Sequence, residues 1–315
     1  MRRLLFLILA LLAMACCSGC ADTIDQQNTA TSKECYAVQD VRGKKLSFEA
    51  KPQRIVSLYI YGDEVLLGLV NHKRIAGLSK WVHDKDLSMA TEEAKDVKQI
   101  ADNTPEAVLA LKPDLVLMPS SFKMEQISAL EDLGVKVFVY PSASRLSNIP
   151  ASIRAIGAAV GEKKQAEKLI TDMQQRISAV EEKAKKIAPE KRKRGLLFLR
   201  LGAIGGKGII FNDIMTAAGV EDCYDFGRSN YLNQDGKSRI LSKEEVVQAN
   251  PDYIIVGTWS MGGADKAGDV LLEELYSDPA LATVTAVRKK QGIVISSGYV
   301  NCLSQHAADS VELLH

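Results

Sequence analysis

Short apolar runs alternate with helix-like segments along most of this chain, and one long helical stretch interrupts the alternation. The alternation begins at residue 54 and resumes after residue 195. Between the two parts, apolar side chains within residues 147–187 recur every three or four positions, as they do on one face of a helix. Alternating strands and helices form parallel sheets covered by helices. The sequence therefore predicts two α/β lobes joined by one long helix.

The spacing of apolar residues also predicts where the individual strands and helices lie in the sequence. A hairpin is predicted at residues 36–49, with Gly43 in its turn. Strands are predicted at residues 55–59, 74–78, 115–118, 135–140, 196–201, 253–256 and 293–296. Helices are predicted at residues 62–70, 105–111, 124–133, 209–218, 243–249, 270–276 and 304–314. Gly157 and Gly161 are positions at which the long helix could divide in two.

Residues 1–20 have the pattern of a secretory signal peptide. Arg2 and Arg3 precede an apolar run over residues 4–15, which is too short to span a bilayer as a helix. Ser18, Gly19 and Cys20 resemble a bacterial lipobox, which predicts cleavage before Cys20 and a lipid on its sulfur. We expect an extracytoplasmic protein anchored to a membrane by Cys20, with an ordinary secreted protein as the alternative. The sequence does not choose between the plasma and outer membranes.

The remaining chain divides into a tether and three structural parts. Residues 21–35 are polar and lack periodicity, so they predict a flexible tether. The predicted parts are an N-terminal lobe at residues 36–145, a bridging helix at 146–188 and a C-terminal lobe at 189–315. A basic run at residues 191–194 is interpreted as a solvated linker.

Charge and cysteine content exclude some classes of function. The 315 residues include 40 Lys and Arg against 39 Asp and Glu, so the basic excess typical of a nucleic-acid surface is absent and no nucleic-acid partner is expected. Apart from Cys20, the mature chain would hold Cys35, Cys223 and Cys302, which allow at most one disulfide and leave its pairing open. Their spacing is not that of a zinc site.

A local repeat links the two predicted lobes. PEAVLALKPDLVLM at residues 105–118 and KEEVVQANPDYIIV at residues 243–256 align without a gap, which brings Glu106 into register with Glu244. Thr104 and Ser242 are predicted to cap the two helices, so each glutamate lies in a first helical turn. An acid there stabilises the helix dipole by roughly 0.3–1 kcal/mol, which explains either glutamate singly. The matched pair also places two negative charges on equivalent surfaces.

Four segments carry a resemblance to a known family. KPQRIVSLYIYGDEVLLGLVNHKRIAGLSKW, PEAVLALKPDLVL, LGVKVFVY and NPDYIIVG resemble class III substrate-binding lipoproteins of ABC importers, which capture cobalamin, ferric siderophores or haem. The resemblance runs from residue 36 to the end of the chain. It implies an α/β fold of two Rossmann-like lobes with parallel sheets, joined by one long bridging α-helix. Ligand would lie in the cleft between the lobes, which would close only slightly around it.

The resemblance also implies roles for particular residues. Glu106 and Glu244 would dock the protein onto arginines of the ABC importer permease, and as rim charges they should govern docking rate and register. The ligand would be held by loops that follow strands and carry aromatic and polar groups. The predicted ligand-binding residues are Tyr61, Trp81, Arg200, Trp259 and Tyr299. Tyr59, Ser120 and Ser121 lie in the same loops, and Tyr59 is equally compatible with a core position.

One loop departs from the family pattern. The family often has Pro-x-x-Thr-Glu where residues 59–64 here read YIYGDE. The two tyrosines could reshape the ligand contact, and one of them could be an axial ligand of haem iron. His83 and His306 are interpreted as ordinary surface or capping residues.

The residues argue against two other classes of function. Residues 202–208, GAIGGKG, look like a phosphate loop, but Leu201 and Gly208 stand where that motif needs Gly and Ser or Thr. With no other catalytic motif present, we expect no enzyme and no catalytic residues. A receptor for free zinc or manganese is the alternative, but it needs convergent histidines and the chain has four. We expect a monomer without a resident cofactor or metal site that carries an iron chelate or a corrinoid. Which ligand it takes stays open.

Overall fold

A hairpin and a four-stranded parallel sheet form the first part of the computed structural model, which describes residues 35–205, 209–223, 239–258 and 267–315. The hairpin pairs β1 (Tyr36–Gln39) with β2 (Lys45–Phe48). The sheet has the order β4-β3-β5-β6, and its strands are β3 (Ile55–Ser57), β4 (Ile75–Gly77), β5 (Leu115–Pro119) and β6 (Val137–Tyr140). Every residue of β5 and β6 is buried, as expected for a parallel sheet covered on both faces.

Three helices belong to this sheet: α1 (Ile60–Leu69), α2 (Pro105–Ala110) and α3 (Met124–Asp132). Two residues separate β3 from α1, and α1 is buried at most positions. Thr104 caps α2 by accepting a hydrogen bond from the backbone N–H of Ala107, and Pro105 takes the first helical position. The helices α1 and α3 therefore begin shortly after the carboxyl ends of β3 and β5.

The long helical stretch is divided into α4 (Ile149–Ala159) and α5 (Lys163–Ala184). Gly161 between them has a positive φ of 77°, and a Cβ atom there would lie 2.8 Å from Cγ of Lys51. An L-residue rarely adopts this conformation, so the sequence itself sets the break. The helix α5 buries a stripe that includes Ile170, Met173 and Val180, which matches the predicted periodicity.

The second sheet is mixed. Its strands are β7 (Arg194–Leu199), β8 (Gly202–Gly205), β9 (Glu221–Asp222), β10 (Arg239–Ile240), β11 (Tyr253–Thr258) and β12 (Gly292–Ser296). The strands β7, β11 and β12 are parallel, and β9 adds a short parallel edge to β7. The strand β8 turns back antiparallel along β7 and pairs with β10. Residues 202–205 of the glycine-rich segment that resembles a phosphate loop therefore form a strand between β10 and β7, and residues 206–208 lie outside the described residues.

The second sheet carries the remaining helices, which are α6 (Ile210–Ala218), α7 (Lys243–Ala249), α8 (Ala267–Ser277), α9 (Thr285–Arg288), α10 (Ser297–Val300) and α11 (Ala307–Leu314). Among the described residues, no helix has both the length and the apolar character needed to cross a bilayer. Every helix and strand predicted from the sequence is present, with ends displaced by a few residues or, for the long stretch, with the break at Gly161. The strands β8 to β10 and the short helices α9 and α10 were not predicted.

One apolar cluster connects the first sheet to the end of the chain. Leu115 of β5 and Ile153 of α4 belong to it together with Ile170 of α5, Ile214 of α6 and Val311 of α11. Ion pairs reinforce the same packing: Arg176 of α5 binds Asp309 and Glu312 of α11. The α/β fold with parallel sheets and a long helix between them is thus confirmed, while the exact lobe boundaries stay predictions.

Candidate functional site

The sequence repeat around Glu106 corresponds to a repeated arrangement at the amino ends of the strands. In the first sheet, the Asp114 carboxylate accepts hydrogen bonds from the backbone N–H groups of Gln53 (2.6 Å) and Arg54 (3.0 Å). The Arg54 guanidinium in turn donates to the carbonyls of Leu111 (2.5 Å) and Lys112 (2.9 Å) at the end of α2. These bonds clamp the end of α2 to the start of β3.

The second sheet repeats the clamp with corresponding residues. Asp252 accepts a hydrogen bond from the backbone N–H of Arg194 (3.0 Å), whose side chain donates to the carbonyl of Ala249 (2.9 Å) at the end of α7. Lys112 and Asn250 also correspond, because both leave their helix with a positive φ, 48° and 44°. The repeat is therefore one of local structure as well as of sequence.

Glu106 and Glu244 both lie exposed in the first turns of α2 and α7. Ser242 caps α7 through the backbone N–H of Glu245, as Thr104 caps α2. The backbone N–H of Glu244 and the Ser242 hydroxyl lower the pKa of the Glu244 carboxyl, so it is charged at neutral pH. Each sheet thus presents one solvent-exposed acid at an equivalent helix start.

Aromatic side chains gather at the carboxyl ends of the first sheet. Tyr59 and Tyr61 follow β3, and their ring centroids lie 5.3 Å apart in an edge-on arrangement. Tyr59 also meets the ring of Phe122, which follows β5, at 5.9 Å. Tyr59, which the sequence left between core and pocket, is half-buried within this aromatic group. Phe122 was not predicted, although its place directly after a buried strand was the available signal.

Both tyrosines are neutral phenols. Burial raises the pKa of Tyr59 above its usual value. Burial also raises the pKa of Tyr61 well above that value, and the nearby Tyr59, Cys302 and Glu64 add to the effect. Each hydroxyl can therefore donate a hydrogen bond at neutral pH, whereas formation of a phenolate is opposed.

Trp81 lies in a 3₁₀ turn, Lys80–His83, that follows β4. Its ring is half-buried, and the ammonium of the exposed Lys80 lies 4.6 Å from the ring centroid. This distance is that of a cation–π contact. The turn therefore offers an apolar face and a positive charge side by side at the carboxyl end of the sheet.

Two consecutive acids beneath these residues are buried. Asp63 in the first turn of α1 and Glu64 directly after it have exposed fractions of 0% and 1%. One oxygen of Asp63, Oδ2, accepts hydrogen bonds from the backbone N–H (3.1 Å) and the hydroxyl (2.5 Å) of Ser79, the residue before the Trp81 turn. Sequence reasoning assigned no role to Asp63 or Glu64. The available signal was a pair of acids leading directly into an apolar helix, because buried charges need partners.

Three ligand-binding residues are predicted to follow strands of the second sheet, and the structure describes two of them. Arg200 follows β7 and is exposed. Tyr299 lies in α10, directly after β12, and packs half-buried against the apolar residues around Ile295 and Val300. Trp259 follows β11 in sequence but lies outside the described residues, as does Cys20.

The histidines and cysteines form no metal site in the part of the chain that the structure describes, where no three His, Cys, Asp or Glu side chains cluster closely enough to hold an ion. His306 lies at the start of α11 with Nδ1 2.9 Å from Oδ2 of Asp309, so it is half of an ion pair when protonated. Cys35, Cys223 and Cys302 are unpaired. Cys302 is buried beside Ser304, and burial raises the pKa of its thiol.

Comparisons with known proteins agree on one family. The sequence model of the family described as periplasmic binding protein matches residues 55–299. An uncharacterized ABC transporter substrate-binding lipoprotein, YvrC of Bacillus subtilis, is 26% identical over 90% of this chain and 92% of its own. The vitamin B12-binding protein of Pectobacterium atrosepticum is 27% identical over 69% of this chain and 74% of its own.

Solved structures show the same fold at lower identity. The periplasmic heme-binding protein RhuT from Roseiflexus superposes with a TM-score of 0.67 at 22% identity, covering 83% of this chain and 96% of its own. A possible iron-binding periplasmic protein from Staphylococcus epidermidis gives a TM-score of 0.65 at 21% identity, covering 84% and 97%.

Proposed function

Because the chain belongs to the periplasmic binding protein family, we propose that it captures an iron chelate (a siderophore or haem) or cobalamin outside the cytoplasm and delivers it to an ABC importer. The observation that carries this proposal is the family match over residues 55–299, which includes both sheets and most of the predicted site. Relatives named for vitamin B12, cobalamin and iron uptake support the ligand class.

The chemistry of the site supports a large, partly planar ligand. We propose that Tyr61 and Trp81 contact it from the first sheet, and that Arg200, Trp259 and Tyr299 contact it from the second. Aromatic faces bind flat ligands over a large area with little loss of side-chain entropy. The exposed Lys80 and Arg200 can pair with carboxylates, such as the two that haem carries.

The raised pKa of Tyr61 bears on how haem would be held. Burial opposes the phenolate of Tyr61 in the ligand-free protein, whereas a bound ferric iron would favour that form. We propose aromatic contact and hydrogen bonding as the role of Tyr61 that cobalamin, siderophores and haem would share.

The remaining parts of the proposal concern transport. The protein performs no catalysis and has no resident cofactor: it binds, closes slightly and docks as a monomer. Glu106 and Glu244 meet the permease, and a lipid on Cys20 keeps the protein at the membrane. Exposed charges on two separate lobes suit docking, because they steer and orient an encounter more than they add affinity.

A tryptophan-fluorescence titration tests the ligand class. The full-length protein in detergent is titrated with haemin, cyanocobalamin and a set of ferric siderophores, with zinc and manganese salts as controls and correction for inner-filter absorption. We expect saturable quenching by a chelate and no response to the salts. A response to zinc or manganese alone would instead favour a free-metal receptor. Silence with every chelate would contradict the proposal.

A further inference from the structure

The buried acid Glu64 joins segments that are far apart in the chain. Its Oε1 accepts hydrogen bonds from the Ser88 hydroxyl (3.0 Å) and the backbone N–H of Met89 (2.8 Å). Its Oε2 accepts a hydrogen bond from the Ser304 hydroxyl at 2.5 Å. Ser88 and Met89 follow the Trp81 turn of the first sheet, whereas Ser304 follows β12 of the second.

Two further hydrogen bonds connect the same segments. The Gln305 side chain donates to the backbone carbonyl of Glu64 (2.8 Å), and the backbone N–H of Gly298 donates to the carbonyl of Asp86 (2.9 Å). Gly298 also fits closely there, because a Cβ atom at this position would lie 3.1 Å from the carbonyl oxygen of Leu87. The segment 298–305 is therefore attached to the first sheet at three points, one of which is the buried carboxyl group of Glu64.

The neighbouring acid extends this connection to the Trp81 turn. Asp63 holds both polar groups of Ser79, the residue that precedes Lys80 and Trp81. Tyr61 lies two residues before Asp63 in the same helical turn. The two acids consequently connect the turn that carries Tyr61, the turn that carries Trp81 and the segment that follows Tyr299.

We infer that Asp63 and Glu64 are positioning residues that fix these three segments relative to one another. A buried carboxyl group that loses a hydrogen-bond donor is left incompletely satisfied, which costs more than the loss of a hydrogen bond exposed to water. The connection between the two sheets follows from the contacts alone. Its consequence for ligand binding rests on the function proposed above.

Two matched variants distinguish the loss of the connection between the sheets from a general loss of stability. Ser304→Ala removes the donor that comes from the second sheet, and Ser88→Ala removes a donor to the same carboxylate from the first. Both serines are buried, so both variants lose one buried hydroxyl. The measurement is amide hydrogen exchange on the full-length protein in detergent, without ligand. The reporter is the Gly298 amide, which neither substitution touches.

We expect Ser304→Ala to accelerate exchange at Gly298 more than Ser88→Ala does, because the backbone N–H of Met89 still holds the first segment to Glu64 in Ser88→Ala, even if both variants lose thermal stability equally. Equal exchange at Gly298 in the two variants would overturn the inference. If Ser304→Ala does not fold, Gln305→Ala removes the adjacent attachment and should likewise accelerate exchange at Gly298, and parental exchange in it would count against the connection. Because no ligand is present, the result is independent of the chelate titration.

The Asp63 attachment is tested by the emission of Trp81. In a Trp259→Phe background, Trp81 is the single tryptophan, and Ser79→Ala removes one of the two donors to Asp63. We expect its emission to shift to longer wavelength as the turn loosens, whereas Ser88→Ala in the same background leaves the emission unchanged. An unshifted spectrum in Ser79→Ala would remove Asp63 from the inference.

If the parental protein binds a chelate, Ser304→Ala should also weaken that binding more than Ser88→Ala does.

Discussion

Gly62 shows how a single residue fixes the start of α1. A Cβ atom at this position would lie 2.5 Å from Oη of Tyr140 and 3.0 Å from Oγ of Ser57, both of them buried. We expect Gly62→Ala to lower the free energy of unfolding by about 1–3 kcal/mol, because the extra methyl overfills the site. Urea denaturation measures the change. Adding Tyr140→Phe removes the obstructing hydroxyl and should recover part of the loss, and a Gly62→Ala variant as stable as the parent would contradict the packing.

His306 makes stability depend on pH. Burial opposes its charged form, but the hydrogen bond to Asp309 and the charge of Glu64 outweigh this and raise the pKa of the ring. A histidine whose pKa is higher in the folded than in the unfolded state stabilises the fold. This stabilisation is fully present below the pKa in the unfolded chain, about 6.5, and is lost as the pH rises through the pKa in the folded state. Denaturation at a series of pH values should show a decline above about pH 6.5 that is smaller in His306→Gln. An identical decline in that variant would exclude His306 as its source.

For individual residues, the sequence predicts where a side chain lies relative to the strands better than it predicts which side chains contact it. Tyr61 and Trp81 lie after β3 and β4 as the strand pattern predicted. Their neighbours Phe122 and Ser79 could not be assigned, because contacts between loops depend on which strands are adjacent in the sheet. Local periodicity does not contain that order. The predicted roles of the site residues stay predictions.

The two clamps differ in a way that can be measured. The Asp114 carboxylate accepts two backbone N–H groups, whereas Asp252 accepts one, that of Arg194. The carbonyl oxygen of an asparagine side chain can keep one such bond, but the amide NH2 group is a donor and cannot accept the second. We expect Asp114→Asn to lower the free energy of unfolding by about 1 kcal/mol and Asp252→Asn by less than half of that. Denaturant titration of both variants checks the order, and the reverse order would show that the clamps are held by other contacts.

Elements with strong apolar periods were predictable, and weakly patterned ones were not. The buried strands β5 and β11 and the stripe of α5 follow directly from their side chains. The strand β8 has the sequence GAIG, whose glycines have low strand propensity, so its pairing with β7 is set by the turn at residues 200–201 and by tertiary contacts. The helix breaks at Gly161, one of the two glycines at which the sequence allows a break, and the positive φ of Gly161 supplies the physical reason.

For the whole molecule, docking and binding should be separable. In Glu106→Ala combined with Glu244→Ala, we expect ligand uptake by cells to be lost while the dissociation constant of the ligand is unchanged, because both acids are exposed at helix starts. Glu125→Ala is a matched control, since Glu125 is also an exposed acid in the first turn of a helix, α3. Weaker ligand binding in the double variant, or normal uptake, would contradict the docking role.

The overall architecture could be predicted because it follows from the order of strand and helix motifs along the chain. The sequence did not predict that α11 packs back against α5 and α6 and shares an apolar cluster with the first sheet. The predicted stripe of α5 showed that one face is buried, but an apolar face does not specify which helix covers it. The attachment of the chain end to Glu64 was hidden for the same reason, since it joins residues 240 positions apart.

The position of the ligand is tested most directly by calorimetric titration of two aromatic variants. Trp81→Leu removes a ring at the carboxyl end of the first sheet, and Tyr253→Leu removes a half-buried ring at the amino end of β11. With the chelate that quenches the parental protein, we expect Trp81→Leu to weaken binding by about tenfold or more and Tyr253→Leu to leave it unchanged. Equal affinities in both variants, or the larger loss in Tyr253→Leu, would contradict a ligand held at the carboxyl ends of the strands.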